Sequence, residues 1–435
     1  MAYRISFYTL GCRVNQYESD AMAEQFEALG CRIVPFGEKC DLTVINTCSV
    51  TAESDRKSMQ AVRRALKLSP GARVIVAGCS SQISPSPAEK IEGVTLITGN
   101  TSKDKIPEIA LKILDGAIPP SKIAVSDINE SPMDKFCLTR ARRARAYVKI
   151  EDGCENKCAY CIIPRARGKV RSKAEDDVLD EVSVIAKSCP EIILTGIETA
   201  SYGRDRGERG ALGELLKKAD AIEGVKRLTV GSLDPSILTD DFLETVSGLD
   251  GFLPHLHISL QSGCTTVLNR MRRKYTAERA LERIERSREF IPGVFFSADV
   301  IVGFPGETDA EFEKTVEFFK AAKFFHLHIF PYSKRRGTEA AEMENQVDEG
   351  VKKERCARLS AVQAEIKKEI LTKYAEERKD GGCLVLFEQI KNGVNIGHSR
   401  HYAEVRVRSK EDLSNQIIDV SLTGTDGEIC FGEIK

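Results

Sequence analysis

Nine residues constrain this chain more than any others. Gly153-Cys154-Glu155-Asn156-Lys157-Cys158-Ala159-Tyr160-Cys161 is a loop that opens on glycine and sets three thiols at a Cys-x3-Cys-x2-Cys spacing. Three thiolates this close cannot complete the four-ligand shell of a structural zinc without a residue from elsewhere. They can hold three corners of an iron–sulfur cube and leave its fourth iron open. An open iron beside a cavity is a place where a small molecule carrying an amino and a carboxyl group chelates and is reduced. Tyr160 before the last cysteine and Ile162-Ile163-Pro164 after it suit a loop wrapped round an apolar cofactor. Spacing alone also admits a zinc knuckle, or thiols that only pack.

The scaffold on either side reads as α/β. Residues 1–135 alternate β-branched runs, over 5–9, 42–46, 73–77 and 94–98, with amphipathic helical stretches over 16–29 and 54–68, the pattern of a parallel sheet with helices on its faces. Cys12, Cys48 and Cys79 stand just beyond three of these strands. The carboxyl ends of strands in an open α/β sheet line the ligand crevice, so the three thiols can converge there. They can equally be small buried hydrophobes. Residues 116–138, with Ile118-Pro119-Pro120-Ser121 and Ser131-Pro132-Met133, read as a linker.

A second βα series follows, with strands expected over 146–150, 191–195, 227–230, 257–260, 297–302 and 326–330. A helix over 174–187 is expected to open on a capping box of Ser172 and Glu175. Six units are two short of a closed (β/α)8 barrel, so a partial, laterally open (β/α)6 TIM-like barrel is expected. Residues 349–379 read as one long charged helix with Leu359, Val362, Ile366, Ile370 and Leu371 on one face. Beyond Gly381-Gly382, short strands over 383–389, 401–407, 416–422 and 428–434 suit a small five-stranded β-barrel. That architecture is often used on oligonucleotides, or it only packs on its neighbour. The expected domains are 1–135, 136–370 and 371–435.

Composition narrows the function class. At 435 residues the chain exceeds one ordinary core, and 42% hydrophobic with 30% charged residues is the balance of a soluble globular protein. No window of eighteen apolar residues is present and the start lacks a signal peptide, so a cytoplasmic protein with no membrane partner is expected. Fourteen cysteines in that setting point to metal ligands and reduced thiols, away from a disulfide framework. A net charge of −1 excludes a uniformly basic nucleic-acid binder, yet residues 140–173 hold eleven Lys or Arg against three acidic residues, a net +8. Arg165, Arg167, Lys169 and Arg171 are therefore candidate RNA phosphate contacts, or else a solvated face. His326 and His328, two apart on a strand, can ligate a metal or pack in a barrel wall.

The motifs in order carry a resemblance. They are Thr9-Leu10-Gly11-Cys12-Arg13-Val14-Asn15-Gln16-Tyr17-Glu18-Ser19, Asn46-Thr47-Cys48-Ser49-Val50-Thr51, Val76-Ala77-Gly78-Cys79, and the cysteine loop running on into Ile162-Ile163-Pro164-Arg165-Ala166-Arg167-Gly168. His257-Ile258-Ser259-Leu260-Gln261-Ser262-Gly263 and Asp299-Val300-Ile301-Val302-Gly303-Phe304-Pro305-Gly306-Glu307-Thr308 follow. Along its whole length the chain resembles the radical S-adenosylmethionine methylthiotransferases.

The resemblance implies an amino-terminal methylthiotransferase domain, a radical S-adenosylmethionine barrel and a TRAM RNA-binding barrel. It implies two [4Fe-4S] clusters. Cys154, Cys158 and Cys161 would hold the one that cleaves S-adenosylmethionine, and Cys12, Cys48 and Cys79 an auxiliary one that delivers sulfur. Tyr160, Thr195, Gly196, Ser259, Gln261 and Gly303 would bind S-adenosylmethionine, with Ser259 and Gln261 alternating to point the same way. Glu198 stands where relatives are expected to carry His or Asn. The implied partners are tRNA at A37 of the anticodon loop, with no DNA, and an electron donor such as flavodoxin or ferredoxin.

Within that family the opening Gly11-Cys12-Arg13-Val14-Asn15 is most similar to the bacterial threonylcarbamoyladenosine branch. The isopentenyladenosine branch reads Gly-Cys-Gln-Met-Asn there and the ribosomal-protein branch Leu-Gly-Cys-Pro-Lys-Asn. The expected reaction is methylthiolation at C2 of N6-threonylcarbamoyladenosine 37. The alternatives are N6-isopentenyladenosine, a ribosomal-protein aspartate, and a zinc-stabilised RNA-binding protein without catalysis.

Overall fold

β-Branched runs flanked by amphipathic helices build the amino-terminal layer as the sequence pattern requires. The computed structural model describes residues 2–435. Strands Arg4–Thr9, Leu42–Thr47, Arg73–Gly78 and Val94–Thr98 pair in parallel in that order, with Arg32–Val34 outside the first and Ile123–Ala124 outside the last. Both edge strands escape the sequence reading because two or three residues carry too little period to register. Ile123–Ala124 lies within the expected linker, where Ile128, Phe136 and Leu138 are also buried, so that segment is packed against the domains on both sides.

All six expected barrel strands form, but they do not make one continuous sheet. Arg145–Lys149, Glu191–Thr195 and Arg227–Val230 make one three-stranded sheet; His255–Gln261, Phe295–Val302 and His326–Pro331 make another. A bridge between Leu233 and Ile258 joins them. The ladder stops because the chain turns away at Gly231 and reaches Asp234-Pro235, and proline has no N–H to donate. Helix Arg13–Ala28 packs on Arg145–Lys149 and helix Glu349–Glu377 on His326–Pro331, the two edges of this partial barrel. One apolar core runs from Ile5, Tyr17 and Leu42 of the first domain into Val148, Ile192 and Leu256 of the barrel.

The expected capping box at Ser172 is absent. Helix Glu175–Ala186 is preceded by Ala174 with no side-chain cap, and Ser172 instead pairs in a two-residue strand and donates its hydroxyl to Asp205. Glu175, Asp176 and Asp177 supply negative charge to the first turn in its place.

Helix Glu349–Glu377 serves two cores: Leu359 packs with the barrel, while Leu371, Tyr374 and Ala375 pack with the last domain. The expected border at residue 370 lies inside it. Its five strands close into a barrel, Cys383–Lys391, Val394–Ser399, Glu404–Arg408, Cys430–Ile434 and Ile417–Thr425 in spatial order. Val394–Ser399 is the one that the sequence reading lacked; a two-residue Asn392-Gly393 turn, both residues at positive φ, makes it the return strand of a hairpin.

Candidate active site

The ends of three adjacent strands set the first cysteine trio. Cys12 caps helix Arg13–Ala28, Cys48 follows Leu42–Thr47, and Cys79 opens the short helix Cys79–Ile83. Parallel register puts Thr9 beside Asn46 and Thr47 beside Gly78, so the three thiols emerge at one level of the sheet. Two glycines allow the approach. Gly11 sits at φ +98°, and a Cβ there would lie 2.8 Å from Cys48 Sγ; Gly78, at φ +104°, would drive one to 2.5 Å from the Thr47 carbonyl.

Amide side chains tie the tips together. Asn15 Nδ2 donates to the carbonyls of Leu10 (2.7 Å) and Thr47 (3.0 Å), and Asn46 Nδ2 to Asn15 O (2.9 Å). Asn100 Nδ2 donates to Cys79 Sγ at 3.3 Å and to Ala166 O at 2.8 Å. Burial, then the neighbouring Cys79, pushes the Cys48 thiol up to about 12. Cys12 is exposed as a residue, yet protein packed round its sulfur raises it too, with Arg167 pulling the other way.

Behind this trio lies a buried ion cluster. Glu18, fully buried, receives Lys103 Nζ at 2.5 Å, Lys149 Nζ at 2.8 Å and Arg167 Nη1 at 2.6 Å. Asp152 takes Lys149 at 2.7 Å and Arg167 at 3.1 Å, and Arg167 also donates to Asn15. Burial alone would raise the Glu18 carboxyl, but Arg167, Lys103 and Lys149 hold it well below the usual range. The cluster joins the first domain (Glu18, Lys103) to the barrel (Lys149, Asp152, Arg167).

The second trio is local. Cys154 N donates to Gly168 O at 3.0 Å and Cys161 N to Cys158 O at 3.0 Å, while Ala159 is held between Met271 and Ala340. Gly153, at φ +93°, cannot carry a side chain, since its Cβ would lie 1.9 Å from Lys169 O. Burial pushes Cys154 and Cys161 up to about 12. Arg273 Nη1 reaches Cys158 Sγ at 3.3 Å, with Nη2 on Asp234 at 2.7 Å and on Ser259 O at 3.0 Å; Tyr160 packs in the same place. Glu198 lies here as well, pushed up to about 7 by burial and by Asp234. Its Oε2 accepts from Asn156 at 3.3 Å, and its Oε1 is buried without a partner.

Among the described residues no three His, Cys, Asp or Glu side chains stand close enough to grip one metal ion. A single structural zinc draws every thiolate to about 2.3 Å of one point, whereas a cluster of several irons accepts thiolates spread over its corners. The open trios, the side-chain-free cradle at Gly11 and the orphaned Glu198 oxygen fit clusters and an amino-bearing cofactor.

A cavity of about 1470 Å³ runs from Cys12 and Cys48 past Thr195, Gly196, His257 and Asp299 to His398 and Tyr402 of the last barrel. The second trio borders a separate groove of about 510 Å³ with Arg165 and Lys169. Other expected site residues lie elsewhere. Gln261 sits at φ +72° in a bulge, so the alternation that would point it with Ser259 is broken. The side of Gly303 faces Lys352 of the long helix, 2.4 Å from where a Cβ would stand.

The basic segment is the largest correction. Arg167 is fully buried and cannot meet RNA; Arg171 is half-buried on Arg167 O and Ser131 O; Lys149 belongs to the ion cluster. Arg140 and Arg142 pair with Glu27, Arg143 with Asp20, and Arg145 with Glu388. The +8 of the sequence is mostly spent internally, because its partners lie far away in the chain. Arg165 and Lys169 stay exposed. The sequence reading missed Glu18, Arg273 and the line His255, Ser297, His257, Asp299, in which Ser297 Oγ meets His255 Nε2 at 3.0 Å and His257 Nδ1 at 2.8 Å. Alternation along 255–261 was the available signal for the two histidines; Glu18 and Asp299 stand inside quoted motifs without a role assigned to them, and nothing local marked Arg273 or Ser297.

Comparison with known proteins places this geometry in context. The radical SAM superfamily model matches residues 148–319 and the uncharacterized protein family UPF0004 matches 4–99. The chain is 39% identical to the threonylcarbamoyladenosine tRNA methylthiotransferase MtaB of Bacillus subtilis, over 96% of this chain and 93% of that protein. It is 34% identical to the tRNA-2-methylthio-N(6)-dimethylallyladenosine synthase of Acetivibrio thermocellus, over 95% and 87%. Among solved structures it is similar in fold to the radical S-adenosylmethionine methyltransferase TsrM of Kitasatospora setae, with TM-score 0.55, 14% identity, and 78% and 74% of the two chains covered.

Proposed function

The chain belongs to the radical S-adenosylmethionine tRNA methylthiotransferases, and from that premise we propose that it is the enzyme that methylthiolates C2 of N6-threonylcarbamoyladenosine at position 37 of tRNA. The observation that carries the substrate is the 39% identity, over nearly the whole chain, to a relative named for that nucleoside. Two relatives named for dimethylallyladenosine match at 33% and 34%, and one named for threonylcarbamoyladenosine matches at 33%, so the family is common to both and the branch is our reading. The opening Gly11-Cys12-Arg13-Val14-Asn15 supports it.

Two [4Fe-4S] clusters and S-adenosylmethionine, when bound, supply an electron, a carbon radical able to take a hydrogen from an unreactive aromatic C–H, and the sulfur and methyl that replace it. In this reading Cys154, Cys158 and Cys161 hold one cluster and Cys12, Cys48 and Cys79 the other. Arg273 sets a fixed positive charge on Cys158, and such charge tunes a cluster's potential. Glu198, whose Oε1 is buried without a partner among the described residues, would receive the amino group of the cofactor. The ion cluster round Glu18 fixes the distance between the two thiol sets. Arg165 and Lys169, exposed beside the second trio, contact RNA phosphate.

Nucleoside mass spectrometry of tRNA from a strain lacking the gene tests the substrate. The 2-methylthio-threonylcarbamoyl nucleoside is expected to vanish while its unthiolated parent accumulates. Unchanged levels remove the proposal, and loss of the 2-methylthio-isopentenyl nucleoside instead transfers it to the other branch.

A further inference from the structure

Arg13 is the first residue of helix Arg13–Ala28, directly after Cys12, and it lines the central cavity. Its guanidinium lies 5.8 Å from the centre of the Tyr147 ring and finds no carboxylate partner among the described residues. Its charge nevertheless reaches deep into the cavity, since it helps to hold His255 and His328 neutral after burial and neighbouring histidines have acted. The position opposes the helix itself. A cation in the first turn faces the positive end of the helix dipole, and that turn holds no acidic residue to offset it.

Most other charged groups on the cavity wall have partners, such as Asp299 with His257, Lys367 with Glu428 and Glu404 with Arg406; Lys334, also without an ion-pair partner among the described residues, is exposed to solvent where Arg13 is half-buried. Arg13 is thus an unpaired, half-buried cation held in an unfavourable place, which a visiting anion would relieve.

Resting on the substrate reading above, we infer that Arg13 binds the carboxylate of the threonylcarbamoyl group. The chemistry matches on three counts. A guanidinium grips a carboxylate with two parallel hydrogen bonds. Of the neutral imidazoles beyond it, the His328 ring makes no hydrogen bond among the described residues and offers a donor and an acceptor, while His255, whose Nε2 meets Ser297, offers its other ring nitrogen; these suit the hydroxyl and urea of the same substituent. C6 of adenine, which carries the N6 substituent, and C2 flank the same ring nitrogen, N1, so a substituent anchored at residue 13 keeps C2 on the side of Cys12. A purely hydrocarbon substituent would strip water from Arg13 and return no hydrogen bond, so the residue also rejects that branch's substrate.

The test uses the cluster-loaded enzyme and two synthetic anticodon stem-loops, one with N6-threonylcarbamoyladenosine and one with plain adenosine at the same position, titrated by fluorescence anisotropy. Wild type is expected to prefer the modified RNA by at least about tenfold. Arg13→Gln should bring that ratio near one, and Arg13→Lys should restore part of it. Because the readout is a ratio, a general loss of folded protein cancels. If wild type prefers the modified RNA and Arg13→Gln keeps the preference, the assignment of Arg13 is overturned and the substrate reading stands. If wild type shows no preference, both fall. A variant whose defect lies only in the KM for S-adenosylmethionine also overturns the assignment.

Discussion

Cys154, Cys158 and Cys161 occupy one loop, whereas Cys12, Cys48 and Cys79 come from the ends of three neighbouring strands. The first arrangement is set within one loop by the bonds of Cys154 to Gly168 and of Cys161 to Cys158 and by one glycine that lets the loop turn against Lys169, with Met271 and Ala340 bracing it at Ala159. The second depends on sheet register, on two glycines, on Asn15 and Asn46, and behind them on five buried charges from two domains. A local site tolerates change elsewhere in the protein. A convergent site inherits every weakness of the scaffold that assembles it.

The sharpest way to break this contrast is to remove one thiol from each set. Cys154→Ala is expected to abolish formation of 5′-deoxyadenosine altogether. Cys48→Ala should still form it and yield no methylthiolated nucleoside, as read by chromatography of both products in one assay. A Cys48→Ala enzyme that still thiolates its RNA would show that the convergent trio has no part in the reaction.

Next in size is the ion cluster. Glu18→Gln leaves Arg167, Lys103 and Lys149 facing Asp152 alone, and breaking a buried pair in this way costs about 3–5 kcal/mol. Urea unfolding should show that loss, with iron leaving the amino-terminal trio before the other. The pH dependence has a definite sign. The folded Glu18 carboxyl sits below its unfolded value of about 4.3, so its contribution is present above that pH and is lost as pH falls through the folded value. The wild type should therefore lose stability on acidification below about pH 4, and the glutamine variant should lack that component. A cost under about 1 kcal/mol would mean that the cluster does not govern the convergent site.

The smallest effect separates the two glycine cradles. Gly11→Ala asks a side chain to adopt a left-handed backbone against Cys48, at about 1–2 kcal/mol, and should halve the iron content by emptying the amino-terminal trio alone. Gly153→Ala should do the reverse. Equal iron loss at both sites in either variant would erase the distinction between a local and a convergent centre.

Much of this organisation was legible in the chain. The alternation of strands and helices, the Cys-x3-Cys-x2-Cys loop, the long helix and the closing small barrel follow from periodicity, spacing and turn residues, which are local properties, whereas the dispersed trio of Cys12, Cys48 and Cys79 was legible as a set only through the family resemblance. The failures share a cause. Arg167 reads as an RNA contact because it sits in a basic run, yet its partner Glu18 lies 149 residues away. Ser172 reads as a helix cap, yet its hydroxyl answers to Asp205. Gln261 reads as the twin of Ser259 until a bulge turns it.

By itself the sequence determined which residue types could hold metal, where each strand would end, and how many β/α units the barrel could muster, since those depend on neighbours along the chain. Only the tertiary structure decided which charges were free. Burial forces each ion to find a counter-ion wherever the fold supplies one, and that search took up most of the basic segment while leaving Arg13 facing the cavity without an ion-pair partner among the described residues.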